Sequence, residues 1–513
     1  MVRHRGTVVC WYGLLLTALM TASVMTDVQG AEPPIPEADI MTEVLPPPVA
    51  SRPVAKRDRS ALTQEELIDR LFAAEERVQW LEEIESARKS RDTDVFKSIS
   101  HLSMAAAEEK KAEEKKKAEA PKEKKWYDKL SMRGYTQVRL NDVVQENDGS
   151  APAQYVGDSS IGDNQSFLIR RARIIIFGDV NEHVSVYLQP DFASSVPGVA
   201  DANQFCQIRD FYADLYVCPD KVHRFRVGQS KVPYGWENMQ SSSNRLPLDR
   251  ADAFNSEVRN ERDLGVFYYY TPEYAQNLFK FVLDQNLKGS GNYGVFGLGV
   301  YNGQGGSLRE QNDNLHLVSR LALPYQFENG QIIETGVQGI LGQYTVLGSA
   351  IRPLGVAPAV IPLGTQSTGG AGGWADERVG WTFVMYPQPF GFQAEWTVGR
   401  GPELNAAQTA LEEHYLSGGY AMVLYKQETE CYGTFFPFAR WSNYKGGYKS
   451  ERNSPFANIS EWEAGNEWQI NKNAELTLSY LITDRTNTTA RTTGTSYGQF
   501  EGQVLRCQLQ FNY

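Results

Sequence analysis

The sequence predicts an all-β transmembrane barrel of 16 antiparallel strands, preceded by an N-terminal α-helical coiled-coil segment. Three observations carry that prediction. The chain ends on a strand of strict alternation: Leu505, Cys507, Leu509, Phe511 and Tyr513 share one face, and Arg506, Gln508, Gln510 and Asn512 the other. Sixteen such segments follow Trp126, with connections that alternate long and short, as external loops and tight periplasmic turns do in outer-membrane barrels. Phe, Trp and Tyr make up 12% of the chain while the mean hydropathy is −0.43. Aromatic-rich yet polar composition is expected when every strand has a lipid face and a lumen face.

The elements follow in chain order. Residues 1–30 read as a signal peptide: Arg3 and Arg5 form a charged start, Thr7 to Met25 an apolar stretch, and Val28-Gln29-Gly30 a cleavage site before Ala31. Cys10 lies within the apolar stretch, which argues against a lipoprotein anchor. No later segment approaches 18 uninterrupted apolar residues, so no transmembrane helix is expected. Residues 31–59 are a Pro-rich linker. Residues 60–104 are expected to form a coiled-coil helix, because Leu67, Leu71, Ala74, Val78 and Leu81 alternate in steps of four and three. Residues 105–125 are a charged spacer rich in Glu, Lys and Ala. Acids nearly match bases there, so nucleic-acid binding is not expected.

The barrel domain spans 126–513. Its strands are expected at 130–141, 166–178, 183–193, 206–217, 223–232, 262–270, 293–302, 314–323, 331–345, 377–386, 389–400, 416–426, 431–444, 458–469, 474–484 and 498–513. Leu278 to Leu287 also looks strand-like. A seventeenth strand would put the barrel's two ends on opposite sides, so 271–292 is read as an extended periplasmic connection. The cysteines outside the signal are Cys206, Cys218, Cys431 and Cys507. Their spacing fits no zinc pattern, and Cys206 and Cys218 flank one strand, too far apart for a disulfide.

Arg or Lys on the lipid face at mid-membrane costs about 2–4 kcal/mol, so charged faces should turn inwards. On the first strand Leu130, Met132, Val138 and Leu140 oppose Arg133, Gln137 and Arg139. On the second, Arg171 and Arg173 share a face. On the fourth, Phe211, Ala213, Leu215 and Val217 oppose Asp210, Tyr212, Asp214 and Tyr216. Near the end, Trp462, Ala464 and Trp468 oppose Glu461, Glu463 and Glu467. The candidate pore-lining residues are Arg133, Arg139, Arg171, Arg173, Asp210, Asp214, Arg245, Arg250, Glu461 and Glu463. Inward charges of this kind either set ion preference or pair across the lumen and stiffen the wall.

Five segments, in this order and spacing, resemble the phosphate-selective porin O/P family. They are Phe167 to Arg173, Ile208 to Tyr212, Arg226 to Glu237, Glu261 to Gly265, and Tyr301-Asn302-Gly303. The resemblance covers roughly 126–513. It implies a trimeric sixteen-stranded porin in the cell outer membrane, with the third external loop (here 233–261, holding Arg245 and Arg250) folded inwards and basic residues guiding anions. The charge balance departs from an anion-selective pattern. Of 51 basic and 62 acidic residues, 20 and 22 precede Trp126, so the barrel segment carries 31 and 40, a net −9.

The expected function is a water-filled channel for passive diffusion of small hydrophilic or ionic solutes, including phosphate or other anions. The expected partners are outer-membrane lipid, two further copies of the chain and small solutes, with the N-terminal segment in the periplasm. The alternative is a structural anchor presenting a periplasmic coiled coil. No cofactor, metal site or catalytic residue is expected. Within the barrel only His183 and Ser185 place a histidine two residues from a serine on one strand face, with no recognisable oxyanion hole nearby.

Overall fold

The computed structural model describes residues 63–119 and 125–513, apart from 154, 159, 163–164, 194–205, 259–260, 307, 349–371 and 487–497. The expected signal peptide and Pro-rich linker lie outside the described residues. The chain divides into two compact units, Met1–Ala120 and Pro121–Tyr513.

In the first unit, a single helix α1 runs Gln64–Glu119 and carries on through the boundary at 104 into the region expected as a spacer. Ala, Glu, Lys and Arg dominate it, all strong helix formers. Leu71, Val78 and Leu81 are exposed on it, as are Ile68, Phe72, Trp80 and Ile84.

The second unit opens with a short 3₁₀ turn at Trp126–Lys129. Its strands are β1 (Leu130–Glu146), β2 (Ser166–Asn181), β3 (Val184–Asp191), β4 (Gln207–Tyr216), β5 (His223–Lys231), β6 (Arg262–Tyr270), β7 (Phe296–Tyr301), β8 (His316–Gln326), β9 (Ile332–Tyr344), β10 (Trp374–Met385), β11 (Phe390–Leu404), β12 (Leu411–Tyr425), β13 (Gly433–Gly447), β14 (Phe456–Asn471), β15 (Ala474–Thr486) and β16 (Gln499–Asn512). A three-residue rung, Gln427–Thr429, continues β12 along β13. Each strand pairs antiparallel with its neighbours in sequence, and β1 pairs with β16 from Tyr135 opposite Asn512 to Glu146 opposite Gly502. The sheet therefore closes as sixteen strands and leaves no open edge.

Period two sorts the two faces. Along β8, His316, Val318, Arg320 and Ala322 are buried inside, while Leu317, Leu321 and Leu323 are exposed outside. Being even in number, the strands bring Leu130 and Asn512 to one end, together with the tight turns at 182–183 and 472–473. That end is the turn end, and the opposite one is the loop end.

Two connections differ from expectation. Residues 401–415 are not a long loop: β11 and β12 stay paired out to Leu404 and Leu411, leaving only 405–410. Residues 271–292 are not extended. A helix α4, Glu273–Asp284, follows Pro272 and buries Ala275, Phe279 and Val282, a four-then-three spacing that fits one helix face. It is the helical period, not a strand, that uses the apolar run from 278 to 287.

Candidate pore and its constriction

The wall supplies the charges. On β1, Tyr135, Gln137 and Arg139 are buried inside, whereas Met132 is 74% exposed outside. The pairing of β1 with β2 shifts between Gln137 opposite Arg171 and Val138 opposite Ile169. Arg170 is the extra residue of that bulge, so Arg170, Arg171 and Arg173 are all buried with the inner face. Strict alternation assigns Arg170 to lipid, which is why the sequence pattern passes over it.

The described residues of the loop 233–261 lie within the bore, as the resemblance implies. It includes two single-turn helices, α2 (Trp236–Met239) and α3 (Asp252–Asn255). The first is held by the Glu395 carboxylate on β11, which accepts the backbone N–H groups of Trp236 (2.5 Å) and Glu237 (2.7 Å). The loop's acids meet wall cations. Glu237 accepts from Arg440 at 3.0 Å, and that guanidinium also donates to Glu463 at 2.9 Å. Asp249 accepts from Arg139 at 3.1 Å and pairs with Arg506. Asp252 accepts from Arg485 at 3.2 Å, whose other arm donates to Glu461 at 2.9 Å. Glu257 accepts from Lys449 at 3.3 Å.

The loop's described arginines stay local. Arg250 donates to Asn238 and Asn255, and Arg245 to the carbonyls of Pro247 and Leu248. Asp158, from the first long connection, joins Arg139 at 2.5 Å and Arg506 at 2.9 Å. Burial alone raises a carboxyl pKa. Here Arg139, Arg170 and Arg506 outweigh it and hold Asp158 at about 2 and Asp249 well below the usual carboxylate range.

Apolar packing fills one side of the bore. Val232, Tyr234, Leu246, Phe254 and Val258 cluster with Phe267, Tyr301, Val318, Ile340, Tyr420, Met422 and Phe438 from β6 to β13. On the other side, at the turn end, a cavity of about 700 Å³ is lined by β1–β6, the loop residues Met239, Ser241, Ser243 and Asn244, residues 289–293, Lys472 and the last two residues. Six cationic side chains line it, Arg133, Arg173, Arg226, Lys231, Arg262 and Lys472, against one carboxylate side chain, Asp210. Arg173 pairs with Asp191 at 2.7 Å, Arg226 doubly with Asp214 at 2.8 and 2.9 Å, and Arg262 with Asp210 at 2.8 Å. Asp191 and Asp214 sit behind the cavity surface, so the guanidiniums face the void. Lys231 donates to the carbonyls of Met239 (3.1 Å) and Gln240 (2.7 Å), and among the described residues no carboxylate lies within ion-pair distance of it.

Of the ten residues singled out from the sequence, Arg133, Arg173 and Asp210 line this cavity. Arg139, Asp214, Glu461 and Glu463 are buried members of ion pairs, and Arg250 lies 3.5 Å from Glu261. Arg171 is buried and donates to Gln137 at 2.8 Å. Arg245 is buried in its own loop. Arg226 was within reach of the sequence, since Arg224 and Arg226 alternate with Phe225 and Val227 on β5. The four cysteines are free thiols. His183 binds the carbonyl of Tyr216 at 3.0 Å and Ser185 donates to Asp179, so the two do not form a nucleophile and base. Among the described residues no three His, Cys, Asp or Glu side chains are placed to hold a metal ion.

A closed sixteen-stranded wall, apolar outside and charged inside, with its third long connection folded into the bore, defines an outer-membrane porin. The family model of phosphate-selective porins O and P matches residues 145–513, and the chain belongs to that family. Solved structures similar to it include the outer membrane channel DcaP of Acinetobacter baumannii, 10% identical over 75% of this chain and 97% of that one (TM-score 0.44). OmpF of Salmonella typhi, in complex with daunomycin, is 14% identical over 75% and 97% (TM-score 0.43). OprB of Pseudomonas putida is 9% identical over 75% and 94% (TM-score 0.43). No curated protein matches the chain.

Proposed function

We propose that this porin passes small hydrophilic solutes with a preference for anions, which enter or leave through the cationic vestibule at the turn end. One observation carries the reading: of the six cations that line the vestibule, Arg133, Lys231 and Lys472 have no carboxylate within ion-pair distance among the described residues, although the barrel segment as a whole is net negative. A fixed charge within about 8–10 Å of the path acts on a passing ion at physiological salt, so the local lining outweighs the net charge of the chain. Phosphate and other small anions fall within this class. Arg133 and Arg173 contribute to the anion-guiding wall, and Asp210 tempers it. Arg139, Arg171, Asp214, Arg245, Arg250, Glu461 and Glu463 act at one remove, by fixing the loop and the wall.

The working assembly is a homotrimer in outer-membrane lipid, with the turn end and α1 in the periplasm. Leu71 and Val78 at a positions and Ala74 and Leu81 at d positions of α1 support a coiled coil between the three copies. Such a helix also suits a structural anchor, a role that coexists with the pore. The test of the anion preference is the reversal potential of the purified protein in a planar bilayer under a KCl gradient. A value on the chloride side supports the reading, and one on the potassium side overturns it.

A further inference from the structure

We propose that residues 285–293 form a strap across the bore at the turn end, closing one half of the mouth and confining solute to the cationic half. The strap, not the loop 233–261 alone, then fixes selectivity at that end. The inference rests on the anion reading for the sign of the selectivity and on geometry alone for the closure.

α4 starts at the end of β6, its last turn packs against β9 and β10, and Lys426, just past β12, donates to the Gln285 carbonyl at 2.9 Å. The chain then meets β13 and β14, which lie across the ring of sixteen from β5 and β6. There Lys288 is buried in an ion pair with Glu467 and lies 4.5 Å from the Phe436 ring centroid. Asn286 donates to Gln469 at 2.6 Å. The path requires left-handed backbone at Asn286 (φ 52°) and Lys288 (φ 62°). Neither is glycine, and such a conformation persists only where its surroundings over-determine it. On the return the strap passes under the inserted loop, with Gln240 donating to the Lys288 carbonyl at 2.6 Å and Asn244 to that of Gly289 at 2.7 Å. It rejoins the near wall where Arg224 donates to the Asn292 carbonyl at 2.8 Å.

The two halves of the mouth differ. On one side Val282 and Leu287 pack with Trp236, Ile332, Val384 and Tyr386 and fill the space. On the other, Gly289 to Tyr293 form a neutral wall of the vestibule, opposite the guanidiniums. A bore bridged by buried, hydrogen-bonded backbone leaves solute one route.

Two variants of the full chain test this. Replacing residues 273–292 by Asn-Gly, with folding checked by heat-modifiable mobility in SDS gels, is expected to raise single-channel conductance at least twofold and to bring the anion-to-cation permeability ratio towards one. A folded variant with unchanged conductance overturns the proposal. Should wild type prove cation-selective while the deletion still raises conductance, the anion reading fails and the strap stands. The second variant pairs Asn286→Cys with Gln469→Cys. A short bifunctional thiol reagent is expected to link the two in outer-membrane vesicles, identified by peptide mass, without changing the conductance. Failure to link, or a conductance reduced by linking, shows that the strap is not seated in the working channel and overturns the proposal even if the deletion does not fold.

Discussion

Lys231→Met isolates the electrostatic contribution of one lining cation. The arginines of the vestibule are poor choices for this purpose: removing Arg262 strips Asp210 of its partner at 2.8 Å and exchanges a neutral pair for a bare carboxylate. Lys231 lines the cavity and donates to two backbone carbonyls, with no carboxylate at ion-pair distance among the described residues, so its loss subtracts at most one positive charge. At about 5 Å in water a unit charge and a monovalent ion interact by about 0.8 kcal/mol. Screening over half a Debye length at 0.1 M salt reduces this to about 0.5 kcal/mol. The effect has opposite signs for anion and cation, so the permeability ratio shifts by at most about 1 kcal/mol, roughly fivefold. Methionine keeps the length and apolar stem but leaves the buried carbonyls of Met239 and Gln240 without their donor, so folding is checked by heat-modifiable mobility before the measurement. The assay is the reversal potential under a KCl gradient, with conductance as the control. A ratio unchanged while conductance is preserved refutes the argument that the vestibule lies on the ion path.

Topology is tested by thiol labelling of intact cells. Cysteine at Gly369, in the connection between β9 and β10, is expected to react, and cysteine at Gln388, in the turn between β10 and β11, is not; the reverse pattern inverts the barrel. Asp158→Asn is expected to destabilise the barrel in detergent by a margin that is constant from pH 7 to about 4. The folded carboxyl is held at about 2, below its unfolded value near 3.9, so its contribution is complete above the unfolded value and fades as pH falls through the folded one. Melting temperatures of wild type and variant that fail to converge between pH 4 and 2 contradict the assignment. For α1, the peptide 60–90 is expected to associate and become helical with rising concentration, and Leu71→Asp with Val78→Asp to weaken this; a monomeric, unhelical parent peptide in sedimentation and circular dichroism rules out the coiled coil.

The sixteen strands were legible because a lipid-facing surface and a wet lumen force alternation on every one of them. Glu461, Glu463 and Glu467 opposite Trp462 admit only one orientation. The strand count survived the ambiguous run at 278–287, but its conformation did not. Leucine and phenylalanine suit either period, and the helical spacing of Ala275, Phe279 and Val282 is short. The bulge at Arg170 was not legible either, since one extra residue resets the alternation without a compositional mark. Ion pairing lay further out of reach. That Arg139 meets Asp158 and Asp249, or Lys288 meets Glu467, depends on which distant segments fold inwards, a tertiary fact that local pattern does not encode. The inward fold of 233–261 was available only through the family resemblance.

The central claim is that solute moves through the half of the barrel lined by β1–β6 while the other half is closed. The most direct measurement is single-channel current through Ser243→Cys, in the vestibule lining, and Met422→Cys, in the apolar packing, before and after a charged thiol reagent. The account predicts partial block at position 243 and none at 422, with wild type unaffected. Block at 422 without block at 243 contradicts it.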